Sequence, residues 1–207
     1  MTTRVRGLTG ATLPTAPTVC HDCVWWQSRP GKRTSKQRWI ERAESDWGAW
    51  GTVYVDDDGR VLGSMQYGPS ELFPRAEDLP AGPPSGDGVL ITCAYLVEGS
   101  AQWVMQSLFL AAIGDVKERG GKALEAFAYR YAEGESAEER FLVHRTVFPA
   151  DFLADFGFRT VRRAGRVELA RLELGGLQLT PERRREKLVR QVKELLEPEL
   201  APVPRRP

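Results

Sequence analysis

Apolar positions along this chain follow two rhythms, and each change of rhythm marks an element. Thr3–Leu8 reads as a short opening strand, and the apolar, aromatic run Val19–Ser28 as a short helix. Thr34 or Ser35 can cap a helix that sets Trp39, Ile40, Ala43 and Trp47 on one face and stops at Gly48. Trp50–Val55 and Arg60–Tyr67 alternate as strands, and Asp56-Asp57-Asp58-Gly59 between them is a hairpin signal. Gly88–Val97 alternates again and is rich in β-branched residues. Ala101–Glu118 switches to helical spacing, with Met105, Leu108, Phe109, Ala112, Ile113 and Val116 as its apolar stripe. Lys122–Tyr129 is the next strand, Ala132–Glu139 a loop or short helix, and after Pro149–Phe156 the segments Arg159–Arg162 and Val167–Leu174 are the closing strands. Thr180-Pro181 opens a last helix with Leu188, Val192 and Leu195 inward. The order β-α-α-β-β-β-α-β-α-β-β-α predicts a mixed α/β sheet with helices on its faces.

The segments between these elements are of different kinds. Thr9–Thr18 is a Thr/Pro loop, and Ala132–Glu139 is polar. Gly68–Gly88 carries five prolines and four glycines, which predicts a long irregular loop of the sort that shapes a site. Residues 1–176 are expected to form one domain, 177–200 a helix packed on it, and 201–207 a disordered Pro/Arg tail.

A chain of 207 residues is long enough for one sizeable core. The net charge of +1 gives no overall bias toward nucleic acid or membrane, but between Arg159 and Lys193 eleven basic residues stand against four acidic ones. No apolar run approaches the roughly 18 residues needed to span a bilayer, and the start of the chain has no apolar block of a secretory signal. Three cysteines make no disulfide framework, so the expected setting is cytoplasmic with reduced thiols.

Several motifs occur together and in order. Cys20-His21-Asp22-Cys23 is followed by Val24-Trp25-Trp26, then Trp50-Gly51, Tyr67-Gly68-Pro69, Arg119–Phe127 and Phe152–Phe158. With the element order, they resemble the GNAT family of N-acetyltransferases over roughly Thr3–Leu174, and within it an actinobacterial group. The resemblance implies a GNAT acyl-CoA N-acyltransferase fold with an added C-terminal helix. It also implies acyl transfer from acetyl-CoA, or another acyl-CoA, to a small-molecule or protein amine. In that family two parallel strands splay apart to admit the pantetheine arm. Amides of the first strand, here Tyr95, Leu96 and Val97, would orient the thioester. The next loop and helix start would hold the diphosphate on free amides and the helix dipole. Here that stretch is Ser100, Ala101, Gln102, Trp103, Val104, Met105 and Gln106, and it departs from the family's Arg/Gln-x-x-Gly-x-Gly/Ala pattern, because Trp103 and Met105 replace the glycines.

A second departure is Leu153, which stands where many members place a general-acid tyrosine. Tyr129, with Tyr95 and Tyr131, is the candidate substitute. Glu125 can serve as a base or as a strand carboxylate paired with an arginine. Cys20 and Cys23 have the spacing of zinc ligands, of a redox pair, or of two small packed residues. No second pair accompanies them, so no metal is expected. His21 and His144 belong to no nucleophile–base–acid arrangement. Beyond acyl transfer, two readings stay open: a binding or regulatory module of this fold without turnover, and a nucleic-acid-binding module using the basic C-terminal third. The apolar stripe of the last helix covers either its own sheet or a second copy in a homodimer.

Overall fold

In the computed structural model, which describes residues 4–97, 102–132 and 147–176, apolar alternation has become one eight-stranded mixed sheet. Its strands are β1 (Val5–Gly7), β2 (Gly51–Val55), β3 (Val61–Pro69), β4 (Gly88–Leu96), β5 (Ala123–Tyr129), β6 (Phe148–Pro149), β7 (Arg159–Ala164) and β8 (Val167–Glu173). They lie in the order β1-β2-β3-β4-β5-β8-β7, with β6 on β5. Neighbours are antiparallel except β4 with β5 and β5 with β6. The mixed sheet expected from the sequence is therefore present, with β4 and β5 as parallel neighbours joined through helix α2 (Gln102–Glu118).

Each face of the sheet has its own core. On one face α2 lays Val104, Met105, Leu108, Phe109 and Ala112 over Val89, Ile91, Leu124 and Ala126. The short helix α3 (Ala150–Asp155) adds Leu153, and Phe109 is ringed by Phe148, Phe152, Phe156 and Phe158. On the other face helix α1 (Lys36–Asp46) brings Trp39, Ile40 and Ala43 against Trp50, Val53 and Phe73. Ser35 caps α1 by accepting from the Arg38 amide, and Gly48 ends the turn after it at φ +93°, a conformation that favours glycine. Trp39 is fixed at its polar edge, where Nε1 donates to the Leu72 carbonyl at 2.8 Å.

Two expectations change. Val19–Ser28 is not a helix: a single 3-10 turn covers Thr18–Cys20, and a second turn at Trp25–Gln27 sets Trp26 stacked on Phe127 of β5. Covering the sheet with one aromatic outweighs the local helical pattern, and Trp25 is left 39% exposed. Gly68–Gly88 is only partly irregular. β3 runs on to Pro69, and 3-10 turns at Ser70–Leu72 and Pro74–Asp78 bury Leu72, Phe73 and Ala76. The expected terminal helix, the tail, and most of the polar segment after Tyr131 lie outside the described residues.

Candidate functional site: a parted strand pair

The register of β4 shows where the sheet opens. Gly88, Val89, Leu90 and Ile91 pair with Ala123, Leu124, Glu125 and Ala126, and there the pairing stops although both strands continue. The cause is visible on the other side of β4. Gln66 of β3 pairs with Cys93 and Tyr67 with Ile91, so Thr92 is an extra residue, a β-bulge that bends β4 at the point of parting. Thr92 is fully buried, and its Oγ1 donates to Gln66 Oε1 at 3.0 Å. Gln66 Oε1 also accepts from Gln27 Nε2 at 2.9 Å, which ties the bulge to the segment before α1.

Strand β6 keeps the gap open. β8 occupies one edge of β5 along its length, from Ala123 to Tyr129. The pairing of Ala128 and Tyr129 with Phe148 and Pro149 must then use the edge that β4 has left. β4 cannot close again without displacing β6. Beyond the bulge, the Val97 amide donates to the Leu62 carbonyl of β3 at 2.9 Å. Strand alternation then turns the backbone groups of Ala94 and Leu96 away from β3 and toward the gap.

The residues singled out from the sequence distribute around this opening. Tyr95 and Leu96 end β4 and Val97 follows it; of these three only Leu96 turns its amide toward the gap, since those of Tyr95 and Val97 face β3. Ser100 and Ala101 lie outside the described residues. Gln102 is the first residue of α2, and its backbone, with that of Trp103, Val104 and Met105, provides the orphan amides of a helix start. The side chains of Val104 and Met105 point into the core, and Gln106 is half-buried. Trp103 packs edge-on against Tyr54 of β2, with ring centroids 5.3 Å apart. The bulk of Met105 is thus spent on the core and that of Trp103 on β2.

Tyr129 lies at the open end of β5, three residues past Ala126 and so level with Ala94; its ring is 5.0 Å from that of Tyr131. Glu125 lies at the closed end. It is fully buried, Oε2 accepts from the Ser85 amide at 2.8 Å, and Oε1 accepts from Arg171 at 3.1 Å. Arg171 also reaches Asp87 and Glu173. Hydrogen bonds to the carboxylates of Glu173 and Asp87 hold the Arg171 guanidinium pKa above its ordinary value. Glu125 pairs with Leu90, six residues before Leu96, a separation of about 20 Å along a strand. The structure therefore sets Tyr129 at the open end of β5 and Glu125 in the paired stretch, one residue before the parting at Ala126. Leu153 is fully buried in the α2 core.

Thr92 and Gln66 are the site-shaping residues that sequence reasoning missed. A signal exists: Val89 and Ile91 face α2, and so do Ala94 and Leu96, so the alternation changes phase at Thr92. Behind the opening, Tyr67 is buried and donates to Asp115 Oδ2 at 2.8 Å, while Asp115 is held by Arg119 at 3.0 Å. Burial, and then the Asp115 carboxylate, push the Tyr67 phenol well above its ordinary pKa. Among the described residues, no group of three histidine, cysteine or acidic side chains is placed to hold a metal ion, and no helix is long and apolar enough to cross a membrane.

No family model matches the chain, and no curated protein matches it. Solved structures do. An N-acetyltransferase from Staphylococcus aureus Mu50 is 15% identical, with 82% of this chain and 97% of that chain covered and a TM-score of 0.47. The PaiA N-acetyltransferase from Thermoplasma acidophilum, in complex with coenzyme A, is 14% identical over 84% of this chain and 99% of that one, at a TM-score of 0.45. A GNAT family acetyltransferase from Brucella melitensis, in complex with acetyl-CoA, is 14% identical over 85% and 90%, at a TM-score of 0.41.

Proposed function

We propose that this protein is an N-acyltransferase of the GNAT type, which moves the acyl group of acetyl-CoA, or another acyl-CoA, to an amine. One observation carries the reading: β4 and β5 part after Ile91 and Ala126, with a bulge that opens the gap and β6 to hold it. An extended, amide-bearing ligand such as the pantetheine arm fits a parted strand pair, because β4 offers it the pairing that β5 would otherwise supply. The Ala94 and Leu96 backbone would bind the arm and orient the thioester carbonyl. The orphan amides at the start of α2 would take the diphosphate, favoured there by the helix dipole. Core-directed Met105 and Tyr54-packed Trp103 leave the backbone of that turn as the contact surface.

The acceptor amine, as its free base, attacks the thioester carbonyl, and the carbon–sulfur bond breaks with the coenzyme A thiolate leaving. The surplus proton of the new amide nitrogen passes to solvent, from which Tyr129 is reprotonated. We assign the proton for that thiolate to Tyr129, which lies at the open end of β5. Glu125 is given no proton-transfer step, since both its oxygens are engaged at the closed end. Calorimetric titration with acetyl-CoA tests the binding half of the proposal. Leu96→Pro removes one amide from the gap without touching the ladder to β3, and should weaken acetyl-CoA binding about tenfold, the worth of one hydrogen bond. Unchanged affinity would place the cofactor elsewhere. Thiol release from acetyl-CoA with a panel of primary amines tests turnover, where Tyr129→Phe should lower the rate by about a hundredfold or more.

Buried Leu153 favours a second reading, a coenzyme-A-binding module without turnover, because the position from which the family's tyrosine acts is committed to the core. Acetyl-CoA binding with no thiol release for any amine would support it.

A further inference from the structure

The Cys20–Cys23 motif is used by none of the chemistry above, and the structure gathers all three cysteines of the chain at one place. Cys20 follows Pro17 in a 3-10 turn, with its sulfur 3.9 Å from Ser64 Oγ on β3. Cys93 lies across the ladder on β4, with its sulfur 3.9 Å from Gln66 Oε1. Ser64 and Gln66 are two residues apart, so both sulfurs sit over the same face of β3. Lys36, at the start of α1, closes the group: its Nζ donates to the Cys23 carbonyl at 3.0 Å and lies 5.0 Å and 5.1 Å from the ring centroids of Trp39 and Trp50. All three thiols act electrostatically on that ammonium, and burial against the tryptophans lowers its pKa.

The three thiols are not equivalent. Cys23 is exposed, and Cys20 and Cys93 are both half-buried. Burial, then the neighbouring cysteines, push the Cys93 thiol up to about 12, so it stays protonated and unreactive. A disulfide reagent therefore meets Cys23 first, with Cys20 three residues before it as the second sulfur and the Lys36 ammonium hydrogen-bonded to the Cys23 carbonyl.

We propose that Cys20 and Cys23 form a reversible dithiol–disulfide site, with Lys36 as its positioning cation and small-molecule disulfides such as oxidised glutathione as its oxidant. The Cys23 thiolate attacks one sulfur of the disulfide, and glutathione leaves as the first thiol. The Cys20 thiolate then attacks Cys23 Sγ of the mixed disulfide, and the second glutathione leaves. Two protein thiols and one disulfide become one protein disulfide and two glutathione thiols, and the protein's two protons pass to the leaving thiolates. The assignment does not depend on acyl transfer. Lys36 favours thiolate over disulfide, so it holds the pair toward its reduced form.

The test uses the full chain, equilibrated in glutathione redox buffers, acid-quenched and weighed intact, with peptide mapping. The oxidised protein should lose two hydrogens and carry a bridge between Cys20 and Cys23. Cys93→Ser should behave the same, and Cys23→Ser should lose the bridge. Lys36→Met, checked for folding by circular dichroism, should raise the bridged fraction several-fold in a fixed mildly reducing buffer. Glutathione adducts without a bridge, a bridge that maps to Cys93, or no oxidation even in fully oxidising buffer would each overturn the proposal. An unchanged fraction in Lys36→Met would remove the lysine from the site.

Discussion

Replacing Arg171 with methionine would strip a buried carboxylate of its counter-ion, and the cost follows from the contacts. Glu125 is fully buried, and Arg171 is its only cation among the described residues; the Ser85 amide is its other partner. Breaking a buried pair from the cationic side costs about 3–5 kcal/mol, because the carboxylate remains without compensation. The contacts of Arg171 with Asp87 and Glu173 lie at the exposed rim, where solvent screens them, and add little. Glu125→Gln should be milder, at about 1–2 kcal/mol, because glutamine still accepts from Ser85 and Arg171 keeps two carboxylates. In the double variant no buried charge is stranded, so its cost should fall below the sum of the singles by at least about 2 kcal/mol. Urea unfolding at constant m-value measures each term, and Arg171→Met should lower Tm by about 10 °C. If the two costs simply add, or if Glu125→Gln is the more damaging change, Glu125 is not held as an ion-pair partner. Acetyl-CoA binding should be the same in Glu125→Gln as in the parent, because the carboxylate lies about 20 Å along the strand from Leu96.

Other expectations follow from single contacts. A Cβ at Gly51 would lie 2.3 Å from the Met65 carbonyl oxygen, so Gly51→Ala should force β2 from β3 and cost about 1–3 kcal/mol or more, read by urea unfolding. Gly88→Ala, with a Cβ 3.0 Å from Glu125 Cδ, should be milder but should also loosen the Arg171 pair. Tyr67→Phe should cost about 1 kcal/mol, since Asp115 keeps Arg119. Tyr67 also sets a pH dependence. Its phenol pKa is raised in the folded state, so its contribution to stability is complete below the unfolded value of about 10 and is lost as pH rises above it. The alkaline loss of stability should be smaller in Tyr67→Phe.

The parts of the fold legible in the sequence are those whose local and long-range demands coincide. Asp56–Gly59 turns the β2–β3 hairpin because the Arg60 amide bonds Asp56 Oδ1 and Gly59 takes φ +81°, both set by the turn itself. The apolar stripe of α2 and the strands on either side are equally local in origin, so the β4-α2-β5 unit was readable. Val19–Ser28 was not, because its aromatic pattern is resolved by Phe127, a hundred residues away. The role of Glu125 was readable only as a choice between two, since the deciding partner, Arg171, lies three strands later in the chain. The helix-start residues were placed correctly along the chain, but the directions of Trp103 and Met105 depended on Tyr54 and the sheet.

The short pairing of β4 with β5 also has a mechanical meaning. Four residue pairs join β1–β4 to the rest of the sheet, where the seams on either side, β3–β4 and β5–β8, have seven each. The sheet is thus two blocks stitched along part of one edge, and a load across it, or a partial opening, should separate the blocks there before either loses its own pairing. Amide exchange at Gly88–Ile91 should report that opening in the empty protein. A ligand lying in the gap would complete the stitching, so its binding should appear as slower exchange along the whole seam.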